Sequence, residues 1–130
     1  MDIDGTLLNS KSEISERNSE TIAEAAARGI EIVLVTGRRF DFALPIANAL
    51  PCDLHLIVNN GALAKSRNGT THLRYMLPAE TARQVLAATP EFRGSAAVIF
   101  DRPGARQVIM ERVDLDAEFE FEYSTRTLIS

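Results

Sequence analysis

The sequence contains a single cysteine, Cys52, so it excludes an internal disulfide framework and a metal site built on several cysteines. Long apolar runs are also missing, because no stretch approaches the roughly 18 residues of a membrane-spanning helix. The N-terminus begins with acidic residues, where a signal peptide would be basic and then apolar. We therefore expect a protein of the reducing cytoplasm, without a membrane partner.

An excess of positive charge is absent as well. The net charge is −4 and charges of both signs are mixed along the chain, so there is no basic stripe and we expect no nucleic-acid partner. The length of 130 residues with 45% hydrophobic content suffices for one modest domain and its core. Composition therefore leaves open a globular enzyme or a globular binding domain.

The most informative stretch is the beginning, Met1 to Leu7, where two carboxylates run into a glycine. In an extended segment residues i and i+2 point to the same side, so Asp2 and Asp4 converge. Gly5 lets the backbone turn sharply and approach a ligand closely. Paired carboxylates beside exposed amides suit a divalent metal and a phosphate. Two other interpretations are a plain solvated turn and a calcium loop, although Leu7 stands where a calcium loop requires glycine.

Two further polar stretches follow predicted strands. Thr36-Gly37-Arg38 follows the apolar run 30–35, and Asn59-Asn60-Gly61 follows the run 54–58. Ligands gather at the carboxyl ends of parallel strands, so Thr36 would lie near Asp2 if their strands are neighbours. Each stretch alone is also an ordinary turn sequence.

Together these stretches resemble the haloacid dehalogenase superfamily, whose members are mostly magnesium-dependent phosphatases. Residues 2–7 resemble its first signature, Thr36-Gly37-Arg38 resembles its second, and residues 8–11 and the Asn60-Gly61 pair resemble the Cof-type subfamily of sugar-phosphate and related phosphatases. The resemblance implies an α/β fold: part of a Rossmann-like parallel sheet with part of an inserted α+β cap. The core would span residues 1–61 and the partial cap residues 62–130.

The resemblance also implies a reaction. Asp2 would attack phosphorus and become an aspartyl phosphate, and Asp4 would protonate the leaving oxygen and later activate water. A Mg²⁺ ion would be held by Asp2 and Asp4. The implied phosphate-binding residues are Gly5, Thr36, Gly37 and Arg38, and Asn60 would face the substrate, a small phosphorylated metabolite such as a sugar phosphate.

Other parts of the family's site have no counterpart in this sequence. The family's lysine and its acidic metal loop follow the cap, whereas the only lysines here are Lys11 and Lys65, away from that signature. Because electrostatic stabilisation dominates phosphoryl transfer, we expect this chain alone to be weak or inactive. Two alternatives stay open: a non-catalytic domain that binds an anion or a partner, and an incomplete fragment that orders as a homo-oligomer through exposed strand edges.

The remaining elements follow from periodicity and turn chemistry. Ser15 and Gly29 would bound a helix over 16–28, and a helix over 40–50 would be bent or delayed by Pro45. Asn68-Gly69 predicts a hairpin. A helix to about residue 88 and strands over 96–100 and 107–113, joined by a turn at Pro103-Gly104, should follow. Residues 116–126 fit a helix or a strand, with a weak preference for a helix. His55 and His72 have no partner at metal-ligand spacing, so both are interpreted as structural or exposed.

Overall fold

The structure, a computed structural model, describes residues 1–102 and 107–110. The chain divides into two compact units, Met1–Met76 and Leu77–Ser130. Within the described part of the chain, no helix has the length and apolar character needed to cross a bilayer.

The first unit contains two helices and a sheet of four strands. The helices are α1 (Glu16–Ala27) and α2 (Phe40–Asn48), and the strands are β1 (Ile32–Val35), β2 (Leu54–Val58), β3 (Leu63–Ser66) and β4 (Thr71–Arg74). The predicted helices, strands and hairpin are all present, with ends shifted by a few residues. The predicted α/β fold class is confirmed.

The sheet of the first unit is mixed in direction. β1 and β2 are parallel, with Ile32 opposite Leu54 and Val35 opposite Ile57, as a strand-helix-strand unit requires. β3 pairs antiparallel with β2, and β4 pairs antiparallel with β3. The hairpin therefore extends the core sheet, and the predicted domain boundary after residue 61 lies inside the first unit.

Helix α1 begins and ends where its sequence signals predict. The Ser15 side chain accepts a hydrogen bond from the Asn18 N–H at 3.2 Å, which satisfies one of the free donors of the first turn. Gly29 follows the helix with φ of 83°, a left-handed conformation that glycine adopts without steric cost. Ile22 is the buried residue of the helix.

Helix α2 begins at Phe40, so Pro45 does not delay it and that part of the prediction is wrong. Proline lacks the N–H that would bond to the preceding turn. The helix nevertheless extends to Asn48, and Ala43 and Ala47 are fully buried on its inner face. Burial of this face offsets the lost hydrogen bond, which local propensity alone does not reveal.

One hydrophobic core fills the first unit, formed by the sheet, the two helices and the N-terminal turn. Its buried members are Ile3, Leu7, Leu8, Ile22, Ile32, Leu34, Ala43, Ala47, Leu50, Leu54, Leu56, Val58 and Leu63. The N-terminal turn thus shares the core of the sheet, which fixes its position relative to β1.

The described part of the second unit consists of α3 (Ala79–Ala88), a 3₁₀ segment (Pro90–Ser95), and the antiparallel strands β5 (Ala97–Ile99) and β6 (Val108–Met110). This matches the predicted helix and strand pair. The predicted turn at 103–104, the segment 116–126 and the tail 127–130 lie outside the described residues. The assignment of residues 62–130 to a cap stays a prediction.

Candidate active site

Asp2 lies beside the carboxyl end of β1. It forms an isolated parallel bridge with Val35, and the Val35 N–H donates to the Met1 carbonyl at 2.8 Å. Because Thr36 follows Val35 directly, Asp2 and the Thr36 stretch leave the sheet at the same edge. This is the neighbouring placement that the sequence predicted from the strand-end rule.

The turn Ile3–Leu7 holds the carboxylates outward. Ile3 and Leu7 are buried in the core, whereas Asp2 and Asp4 are exposed, and the Leu8 N–H closes the turn on the Ile3 carbonyl at 3.0 Å. Gly5 has φ of 74°, which allows the sharp reversal. Thr6, absent from the predicted site residues, donates its hydroxyl hydrogen to Asp2 Oδ2 at 3.4 Å. Its position in the same short motif was the signal that could have identified it.

Asp4 is paired with Arg38. Arg38 Nε donates to Asp4 Oδ2 at 2.9 Å and Arg38 Nη2 donates to Asp4 Oδ1 at 2.5 Å, a two-pronged geometry typical of arginine and carboxylate. The hydrogen bond and charge of Asp4 raise the pKa of Arg38 above its ordinary value, against the lowering effect of partial burial. Arg38 is therefore a permanent cation beside Asp4.

Thr36 is held rigidly at the base of the site. It is only 4% exposed, and its N–H donates to the Ile57 carbonyl at 2.9 Å, which ties it to β2. The Thr36 hydroxyl oxygen accepts the Arg38 N–H at 3.1 Å. A hydroxyl that accepts this bond still has its own hydrogen to donate.

The turn after β2 contacts the turn after β1. The Asn59 N–H donates to the Arg38 carbonyl at 2.9 Å, and Asn59, Asn60 and Gly61 all have positive φ, of 53°, 54° and 94°. A Cβ on Gly37 would lie 2.7 Å from Asn60 Oδ1, so glycine permits this close approach. The Asn59 Oδ1 atom is buried and has no hydrogen-bond partner within the described part of the chain.

Comparison with known proteins identifies the family. Residues 1–124 match the family described as haloacid dehalogenase-like hydrolase. The chain belongs to this family. A curated relative, the HMP-PP phosphatase of Escherichia fergusonii, is 34% identical over 100 residues, which are 77% of this chain and 37% of that protein. The membership predicted from the sequence is confirmed.

Solved structures of haloacid dehalogenase-like hydrolases have the same fold. One from Bacteroides thetaiotaomicron is 27% identical, with a TM-score of 0.70 over 98% of this chain and 47% of that one. Another, from B. subtilis, is 31% identical, with a TM-score of 0.63 over 70% of this chain and 32% of its own length. The chain thus spans less than half the length of these relatives.

The structure brings the predicted site residues of this haloacid dehalogenase-like chain to one edge of the sheet in three contacts. Asp2 lies beside the strand end that precedes Thr36, Asp4 binds Arg38, and Asn60 touches Gly37. Gly5 directly follows Asp4 in the N-terminal turn. The roles of these residues in catalysis and binding stay predictions.

The donor set fits part of a magnesium shell. Mg²⁺ prefers about six oxygen ligands and keeps several waters, and carboxylate and carbonyl oxygens of Asp2 and Asp4 are of this kind. Residues 1–102 and 107–110 contain no group of three or more histidine, cysteine, aspartate or glutamate side chains that could enclose a metal. The N-terminal turn would therefore supply only some of the ligands.

Proposed function

We propose that the protein is a Mg²⁺-dependent phosphohydrolase that acts on a small phosphorylated metabolite through an aspartyl-phosphate intermediate. The proposal rests on one observation: Asp2, Thr36 and the Asp4–Arg38 pair lie at the same edge of the sheet. The name of the curated relative, a phosphatase, supports the reaction class.

The reaction can be written with these residues alone. An Asp2 carboxylate oxygen attacks phosphorus and forms an O–P bond, while the bond to the leaving oxygen breaks and that oxygen takes a proton from Asp4. Water then attacks the phosphorus of the aspartyl phosphate and gives a proton to Asp4. The O–P bond to Asp2 breaks, which releases inorganic phosphate and restores both carboxyl groups.

The Asp4–Arg38 ion pair must open before this reaction can proceed. Both Asp4 oxygens accept hydrogen bonds from Arg38, so Asp4 is ionised in this pair. It can act as the acid only after Arg38 releases one oxygen and that oxygen takes up a proton from water. A substrate phosphate is an alternative partner for the Arg38 guanidinium, because two of its oxygens can accept the same pair of hydrogen bonds. Substrate binding would then draw Arg38 to the phosphate and free Asp4.

The Thr36 hydroxyl and the Gly37 and Arg38 amides would orient the transferring group. Mg²⁺, where bound, would be held by the Asp2 carboxylate and the Asp4 carbonyl, and it would offset negative charge between nucleophile and phosphate. We place the reaction in the cytoplasm.

The test measures phosphate release from an aryl phosphate by the chain, with Mg²⁺ and with a chelator. We expect slow, Mg²⁺-dependent release that Asp2→Asn abolishes, because the covalent step is lost. Asp53, an exposed aspartate directly before β2, supplies the matched control: Asp53→Asn should leave release unchanged.

Because this chain alone is expected to turn over slowly, binding of inorganic phosphate is measured beside turnover. Binding that Thr36→Ala weakens, without release, would support the alternative of a non-catalytic anion-binding domain. Folded protein that neither releases nor binds phosphate would contradict the proposal.

A further inference from the structure

The two histidines of the chain lie together on one face of the sheet, one on the interior strand β2 and one on the edge strand β4. His55 is in β2 and His72 is in β4, and the hydroxyl of Ser66 in β3 lies between them. Ser66 Oγ is 3.4 Å from His55 Nδ1 and 2.5 Å from His72 Nε2. The ring centroids are 5.2 Å apart with an interplanar angle of 79°. One nitrogen of each imidazole thus faces the same point.

The register of the sheet explains why residues of three strands meet. His55 is directly opposite Ser66, and paired residues project to the same face. Between β3 and β4 the register shifts: Ala64 pairs with Leu73, but Lys65 pairs with Thr71. His72 is the extra residue at this irregularity. A bulge re-aims a side chain, and here it brings His72 to the face of His55 and Ser66.

The cluster is accessible and separate from the candidate active site. Both histidines are exposed, and His55 and Ser66 border an open groove that Glu31 and Asp53 also line. His55 lies near the start of β2, whereas the Asn59 turn follows its end, roughly 13 Å away along the strand. A ligand bound at Asp2 and Asp4 therefore need not contact the histidines.

We propose that His55 and His72 form a binding site for a divalent transition-metal ion of the zinc class, which links β2 to β4. Imidazole is a ligand for zinc, nickel and copper, whereas Mg²⁺ prefers oxygen. The ion takes the point that both ring nitrogens face, with Zn–N distances of about 2.0–2.1 Å, and waters complete its shell. The Ser66 hydroxyl turns aside or serves as a further ligand.

Metal binding changes which nitrogen of one histidine ring carries the hydrogen. The Ser66 hydroxyl has one hydrogen, so it donates to one ring nitrogen and must accept from the other ring. Metal binding requires both facing nitrogens to be unprotonated. One ring therefore transfers its proton to its outer nitrogen, and coordination is through Nδ1 of His55 and Nε2 of His72.

The chain has only two histidines, so imidazole ¹⁵N NMR of the full chain reports on the site directly. All the proteins compared also carry Cys52→Ser, which removes a thiol that could bind Zn²⁺ in place of the histidines. We expect one equivalent of Zn²⁺ to shift both rings together, at Nδ1 of His55 and Nε2 of His72, while millimolar Mg²⁺ shifts neither. His55→Asn should weaken the response of His72 at least about tenfold, and His72→Asn should do the same to His55, because each loses its chelating partner.

The proposal would be overturned if both imidazole rings of the folded protein failed to respond to millimolar Zn²⁺. It would also be overturned if each ring bound Zn²⁺ with the same affinity after the other histidine was replaced. Neither readout involves phosphate release. The outcome is therefore independent of the proposed phosphatase activity.

Discussion

Gly37 and Asn60 hold the two turns of the candidate site in contact. A Cβ at Gly37 would approach Asn60 Oδ1 to 2.7 Å, so Gly37→Ala must displace that side chain. The obstructing oxygen is the end of an exposed side chain that can rotate aside, so we expect Gly37→Ala to lower the free energy of unfolding by about 1 kcal/mol or less, as measured by urea denaturation.

The partner substitution isolates the cause. Asn60 has φ of 54°, which glycine adopts freely, so Asn60→Gly removes the obstructing oxygen without adding strain. The double variant should recover much of the stability that Gly37→Ala loses. Losses that simply add would show that the two side chains do not interact.

The residues of the site were predictable to different degrees. Asp2 and Thr36 were placed together because both positions depend only on strand ends. The contact between Arg38 and Asp4 was not predicted, because it depends on side-chain rotamers and on the turn at Gly5. Thr6 was missed as a partner of Asp2 for the same reason.

The Arg38–Asp4 pair should persist over the whole working range of pH. The pKa of Arg38 is raised, so the stabilisation from its charge is fully present below the pKa of an unfolded arginine and is lost only as the pH rises through the raised folded value. Arginine is always protonated under assay conditions. Loss of the Arg38 charge therefore does not release Asp4 under these conditions.

At the scale of single elements, the N-cap of α1 can be tested alone. Ser15→Ala removes the acceptor of the Asn18 N–H, and we expect a loss of about 1 kcal/mol in the free energy of unfolding. Ser10→Ala, at an exposed turn position, is the matched control and should change stability by less than about 0.5 kcal/mol. Equal effects of the two substitutions would contradict the capping role.

The sheet offers an internally matched comparison of one substitution at two depths. Leu56 in β2 is fully buried, whereas Leu73 in β4 is 43% exposed. We expect Leu56→Ala to cost about 2–5 kcal/mol by urea denaturation, since it leaves a cavity in the core, and Leu73→Ala to cost much less. Comparable losses would mean that β4 is packed more deeply than the structure shows.

Elements were predicted better than their arrangement. The cap, strand and turn signals of α1, β2 and the hairpin are local, so the sequence located them. Membership of β3 and β4 in the core sheet depends on pairing with β2, which no local signal specifies. The continuity of α2 through Pro45 likewise depends on burial of Ala43 and Ala47.

At the scale of the whole molecule, the division into two units predicts where a protease cuts. Residues 75–78 form neither helix nor strand, and Tyr75 and Leu77 are 69% and 61% exposed. Exposed connections are preferred sites of cleavage. Limited chymotrypsin digestion should cut after Tyr75 or Met76, since Pro78 blocks the bond after Leu77, and leave the first unit as the persistent product, identified by mass spectrometry.

The first unit should persist because its sheet has four paired strands and its core is continuous from Ile3 to Leu63. Leu73 is also a chymotrypsin site, but its backbone is paired in β4, and cleavage there requires local unfolding. First cuts within residues 54–74, ahead of cuts after residues 75 and 76, would show that the hairpin opens more easily than the connection. The boundary predicted after residue 61 would then describe the stable unit better than the division after Met76.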